Sequence, residues 1–146
     1  MKKSFIQQFE DYLRSKNLRL TDQRRVIVKA FFRKKGHVSA EELYRYIHKT
    51  TPSIGFATVY RTLKILAEAG LASGKNFGDG YVRFECCHVS KEHHDHLVCN
   101  RCGKIVEFVN SHIEKMQESV AKEHGFTIQD HTLDIYGICR ECNARK

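Results

Sequence analysis

The sequence predicts an α+β fold in two parts. An N-terminal winged helix-turn-helix is expected over residues 1–85, a hinge over 86–92, and a C-terminal α/β domain with a four-cysteine knuckle over 93–146. Three observations predict this. Apolar residues recur at helical spacing through the front half and give way after Gly70 to a hairpin pattern. All six cysteines and seven of the nine histidines lie beyond residue 83. Charge divides at the same place: residues 1–83 carry 17 Lys+Arg and 7 Asp+Glu, a net of +10, while residues 84–146 carry 8 and 10, a net of −2. A basic front half suggests a polyanion partner, and a Cys/His-rich rear half suggests metal.

The helices come first. Phe5, Phe9, Tyr12 and Leu13 predict one, and Val26, Ile27, Ala30 and Phe31 a second that Thr21 opens. Ser39-Ala40-Glu41-Glu42 matches a capping box, in which Ser and Glu satisfy each other's end amides. Leu43, Tyr46 and Ile47 then face one side of the third helix. Pro52 in TTPSIG breaks the chain. GFATVYRTLKILAEAG forms a fourth helix with Val59, Leu63 and Leu66 as its inward stripe and Gly70 as its stop. Ala57, Thr58, Arg61 and Lys64 point the other way.

Two short strands around NFGDG follow in LASGKNFGDGYVRFE. Helices followed by a basic hairpin outline a fold whose last helix enters the major groove of DNA. Small residues on that helix let the backbone approach, and Arg61 and Lys64 reach guanine edges or phosphates. The plainer alternative for both is a solvated helix face. Tyr60, at the side of the wheel, either contacts a thymine methyl or sugar or packs. Arg19 either enters a minor groove or stays solvated.

The rear half predicts strands near His96–Val98 and Lys104–Phe108. A helix over about Ser111–His124 follows, with Ile113, Met116 and Val120 on one face and Gly125 as its stop. A longer strand over FTIQDHTLDIYGI is expected last, long enough to pair with a second subunit. Cys99-x2-Cys102 and Cys139-x2-Cys142 are separated by 36 residues. Each pair makes a knuckle around one side of a tetrahedral ion, and four soft thiolates with no open position point to structural zinc. A redox CxxC or a four-cysteine iron–sulfur centre is the alternative. In an extended HHDH, His93 and Asp95 share one face and His94 and His96 the other. That implies two separate N/O sites, weaker and more exchangeable than the thiolates. Glu114 also fits a capping box opened by Ser111.

Several classes are excluded. MKKSFIQQFE has no apolar h-region, and no apolar run suits a membrane span, so a cytoplasmic protein without a membrane partner is expected. There, cysteines read as metal ligands or redox groups before disulfides. A zinc enzyme needs an open metal position and a general base. The HxE and PCxxC pattern of nucleobase deaminases is missing: His112-Ile113-Glu114 is the one HxE, and no proline precedes either CxxC. A metal store would explain the histidines but not the winged helix. The sequence is read as a non-enzyme.

LRLTDQRRVI, HVSAEELY, GFATVYRTLKILAEAGL, HHDHLVCNRCGKIVEF and GICREC together resemble the ferric uptake regulator family, from about Leu18 to Cys142. The resemblance implies a dimeric, metal-responsive repressor whose first domain binds double-stranded DNA and whose second dimerises; the sequence leaves open whether dimers pair into tetramers. It implies an AT-rich inverted-repeat operator. Carried onto this chain, it implies a regulatory site of His37, Glu85, His94, His96 and Glu107, and a second site of His93, Asp95, Glu114 and His131. Cys99, Cys102, Cys139 and Cys142 would hold structural Zn2+. Family peroxide sensors typically carry aspartate where this chain has Glu85 and Glu107, so Fe2+ is the expected regulatory ion. Zn2+, Mn2+ and peroxide sensing are the alternatives. ECCH departs from a polar hinge: Cys86 and Cys87 either oxidise, replace a ligand, or simply end a strand.

Overall fold

The computed structural model describes residues 3–87 and 93–145. The chain divides into two compact units, Met1–Lys91 and Glu92–Lys146. Most of the expected hinge, residues 88–92, lies outside the described residues. Cys86, its first residue, ends a strand and pairs with Ala72.

The first unit holds four helices, α1 (Phe5–Ser15), α2 (Asp22–Arg33), α3 (Ala40–His48) and α4 (Phe56–Glu68), and a three-stranded sheet. β1 (Val38–Ser39), β3 (Val82–Cys86) and β2 (Ala72–Asn76) lie in that order, all antiparallel. Local chemistry sets the helix starts. The Ser39 amide donates to Glu42 Oε2 at 2.8 Å and the Glu42 amide returns to Ser39 Oγ at 3.1 Å, the expected capping box. Thr21 accepts from the Arg24 amide in the same way for α2. Gly70 ends α4 at φ +70°, and the Leu71 amide bonds back to the Leu66 carbonyl at 2.9 Å.

Phe9, Leu13, Ile27, Phe31, Leu43, Ile47, Val59, Leu63 and Leu66 bury themselves in one core with Phe84 of β3. Tyr46 does not join them. Three helical steps leave it about 60° from Leu43, at the edge of the stripe. The residue is 43% exposed, with the Lys34 ammonium 4.5 Å from its ring centroid. The hairpin turn is closed by side chains, since Asn76 Oδ1 accepts from the Gly78 amide and Asp79 Oδ1 from the Tyr81 amide. Arg83 holds Asp79 at 2.7 Å.

The second unit is a sheet in the order β5 (Ile105–Phe108), β4 (Asp95–Cys99), β6 (Asp134–Gly137), with α5 (Ser111–Glu123) and a short α6 (Arg140–Ala144). β5 is antiparallel to β4 and β6 parallel to it. Two expectations are corrected here, and one further element appears. The long last strand is reduced to Asp134–Gly137, because β4 offers five residues and pairing begins only where the His96 amide reaches the Leu133 carbonyl. Asn110, not Ser111, caps α5, accepting from the amides of His112 and Ile113 and leaving Glu114 outside the cap. The chain also closes on α6, a helix that its sequence pattern does not announce. Among the described residues no helix is long and apolar enough to cross a membrane.

Candidate metal centres and a basic helix face

A tight turn builds the cysteine site. Between Cys99 and Lys104 the chain reverses through Gly103 at φ +73°, with the Gly103 amide on the Cys99 carbonyl and the Cys99 amide on the Lys104 carbonyl, both at 2.9 Å. The second pair straddles the start of α6. All four sulfurs of Cys99, Cys102, Cys139 and Cys142 lie within 4.8 Å of one another, and none is in a disulfide. The Cys139 amide donates to Cys99 Sγ at 3.3 Å.

That bond and the Cys102 amide bring the Cys99 thiol down to about 6. Burial, then the neighbouring Cys102 thiol, pushes Cys142 up to about 12. One thiol is thus poised to ionise while another resists. A dication bound by all four removes that conflict, since metal ligation requires thiolates. The soft, closed donor set fits zinc.

β4 sorts the histidines and Asp95 by face. On one side His93 Nε2 lies 3.1 Å from Asp95 Oδ1 and 3.4 Å from Glu114 Oε1. His131 Nε2 lies 3.3 Å from Glu114 Oε2, and the two imidazoles are 4.1 Å apart between centroids. The donor atoms of His93, Asp95, Glu114 and His131 all lie within 4.8 Å of one another. Asp95 Oδ2 is buried with no hydrogen-bond partner among the described residues, as is Gln117 Oε1 one turn further along α5, and Glu114 Oε1 and His131 Nε2 are buried with only the long contacts of 3.4 and 3.3 Å just given. Buried polar atoms without partners are costly, and a cation would satisfy such a set. The mixed N/O donors suit iron, manganese or zinc.

The other face carries His94 and His96, ring centroids 5.0 Å apart, and Glu107 paired across the sheet with His96. Donor atoms of His94, His96 and Glu107 lie within 4.8 Å of one another. Asp134, which the sequence reading missed, accepts from or pairs with His96 Nδ1 at 2.9 Å. The other two residues of the expected regulatory set belong to the first unit. There β1 and β3 bring His37 Nε2 within 3.3 Å of Glu85 Oε2, with Phe77 edge-on to the imidazole. Cys86 is buried, and burial raises the Cys87 thiol.

On α4, Ala57, Tyr60, Arg61 and Lys64 are exposed and Thr58 is half-buried. Arg61 Nε donates to the Ala57 carbonyl at 3.3 Å, and Thr62 Oγ1 to the Thr58 carbonyl at 2.7 Å. Arg19 is exposed, and its carbonyl is held by Arg24 at 2.6 Å. Phe56 stacks on Tyr60 at 6.3 Å and meets Tyr44 edge-on at 5.9 Å. The sequence reading missed this support, although its aromatic spacing was visible.

Comparison with known proteins agrees with these features. Residues 15–136 match the ferric uptake regulator family. A ferric uptake regulation protein of Campylobacter jejuni is 41% identical over 143 residues, covering 97% of this chain and 90% of that protein. The ferric uptake regulator of Helicobacter pylori, whose structure was described as revealing three functional metal binding sites, superposes with a TM-score of 0.82 at 29% identity, covering 98% of this chain and 97% of that one. A zinc-bound manganese uptake regulator superposes at 0.75 with 40% identity, covering 90% and 98%.

Proposed function

This chain belongs to the ferric uptake regulator family and is a metal-responsive regulator rather than an enzyme, and from that premise we propose an Fe(II)-responsive repressor of metal-uptake genes. It acts in the cytoplasm as a homodimer on an AT-rich inverted repeat. The observation that carries the reading is the separation of donor chemistries. Four thiols converge on one site, while His94, His96 and Glu107 form an N/O set on β4 and β5. A closed thiolate site suits permanent structure, and an N/O site suits exchange.

In this reading His37 and Glu85 of the first unit join His94, His96 and Glu107 of the second as one regulatory site. With Asp134 on Nδ1, His96 ligates through Nε2. When bound, the ion supplies a positive centre that these five side chains prefer to share in one arrangement of the two units. Differential affinity for that arrangement shifts the population toward it. The basic face of α4, with Tyr60, Arg61 and Lys64, then meets the major groove, with Ala57 and Thr58 allowing close approach and Arg19 reaching a neighbouring minor groove. A two-fold protein needs a two-fold operator.

His93, Asp95, Glu114 and His131 form a second N/O site within the dimerising unit. Glu85 and Glu107 support iron. Manganese is the second reading, favoured by the likeness to the manganese uptake regulator.

The test is anaerobic. Protein with its tight zinc in place and exchangeable metal stripped is titrated separately with Fe(II), Mn(II) and Zn(II), while fluorescence anisotropy follows binding to an AT-rich inverted-repeat duplex. Activation by Fe(II) at the lowest free concentration is expected. Activation by Mn(II) or Zn(II) alone moves the protein to that metal, and no binding under any metal rejects the repressor reading.

A further inference from the structure

Side chains from each CxxC loop reach across to the other loop. Arg101, inside the first, donates from Nη1 to the Cys142 carbonyl at 2.7 Å and to the Arg145 carbonyl at 3.3 Å. Lys104, just past the first, holds Glu141 inside the second at 2.7 Å. The backbone adds the Asn100 amide on the Gly137 carbonyl at 2.8 Å. These contacts tie the two loops together around the sulfurs, where Cys102 and Cys139 lie 3.8 Å apart.

We propose that Arg101, seconded by the Lys104–Glu141 pair, is a latch that preforms the four-thiolate cage and makes zinc slow to leave. The proposal rests on the reading of the four cysteines as a zinc site. The other ties on the second loop, the Asn100–Gly137 and Cys139–Cys99 bonds, lie at its start, whereas Arg101 acts at its far end. α6 spans five residues, far below the length at which a helix is stable by itself, and Cys142 lies in its middle. Zinc would escape by the fraying of this segment. Arg101 ties down two carbonyls at this end of the cage, one of them that of the ligand residue Cys142. A guanidinium also offsets the net negative charge of a dication bound by four thiolates. The Lys104–Glu141 pair is exposed and salt-screened, so its share is smaller.

The measurement is zinc release from the full-length protein to an excess of the chromogenic chelator 4-(2-pyridylazo)resorcinol, after the zinc content of each preparation has been measured. Arg101→Gln is expected to release zinc roughly 10–100-fold faster, the usual scale for losing a group that supports a metal ligand. Arg101→Lys should not rescue fully, because the shorter lysine chain does not carry its nitrogen to the place of Nη1 and lacks the planar guanidinium that aims it at both carbonyls. Lys104→Gln should have a smaller effect that disappears in high salt, and the exchange Lys104→Glu with Glu141→Lys should restore the parent rate at low salt. These two variants keep the test open if Arg101→Gln fails to fold. Zinc-loaded parent and Arg101→Gln releasing at one rate would overturn the latch alone. Full rescue by Arg101→Lys would reduce it to a charge effect and overturn it too. A parent chain that purifies without zinc overturns the reading of the cysteines.

Discussion

Asp134 governs how His96 acts. Its carboxylate engages Nδ1 at 2.9 Å, which fixes the ring and selects the tautomer. Asp134→Asn is expected to weaken the regulatory metal about 10–100-fold while the cysteine zinc stays in place. Anisotropy under graded Fe(II), with zinc counted in parallel, checks both halves. Loss of zinc together with iron response would mean that Asp134 merely supports the fold. Cys99 gives a second prediction. Its folded-state pKa is depressed from 9.0 to about 6, so the stability it contributes is present above its unfolded value and drains away as pH falls through about 6. In zinc-free, reduced protein, thiolate absorbance near 240 nm should show one thiol ionising near pH 6. Cys99→Ser should remove that step, and its persistence would place the low-pKa thiol elsewhere.

α5 poses the question at the scale of an element. Its Ile113, Met116 and Val120 stripe was legible in the sequence, yet none of its residues is buried in this chain. Met116 is 69% exposed and Val120 53%, and with Phe126 and Ile128 they line a groove of about 840 Å³. An apolar patch of this kind marks an association surface. Val120→Asp is therefore expected to shift the dimer toward monomer in sedimentation while leaving helix content unchanged. An intact dimer would move the interface off α5. The same incompleteness explains what the sequence reading missed. The capping box at Ser39 and the stop at Gly70 were legible because each is decided within a few residues. The length of β6 was not, because alternation speaks of strand tendency while a strand forms only where a neighbour pairs with it, and β4 supplies one for only four residues. Asp134 was hidden because it meets His96 across 38 residues of chain. The cysteine spacing was legible, whereas the latch of Arg101 and Glu141 depends on how the two loops face each other.

At the scale of the whole molecule the charge division becomes a measurable quantity. Residues 1–83 carry a net of +10 and residues 84–146 a net of −2, so attraction to a polyanion comes from the front half alone. Lys and Arg that neutralise phosphates release condensed counterions, and the observed binding constant then falls linearly with salt on logarithmic axes. A dimer that places two α4 faces and two Arg19 segments on one duplex should make enough phosphate contacts to lose roughly 10³–10⁵ in affinity between about 50 and 200 mM salt. Arg61→Ala and Lys64→Ala separate two roles. A residue that contacts only phosphate lowers the slope by about 1 and weakens all sequences alike, whereas one that reads a base edge relaxes preference at one position. Arg61, whose Nε already donates to the Ala57 carbonyl, keeps its terminal nitrogens for the groove and is expected to behave as the reader. Lys64, a point charge one turn further on, is expected to behave as the phosphate contact. Anisotropy with matched and scrambled duplexes across a salt series measures both. A flat salt response would reject the basic-face assignment for the entire first unit, whatever metal the protein senses.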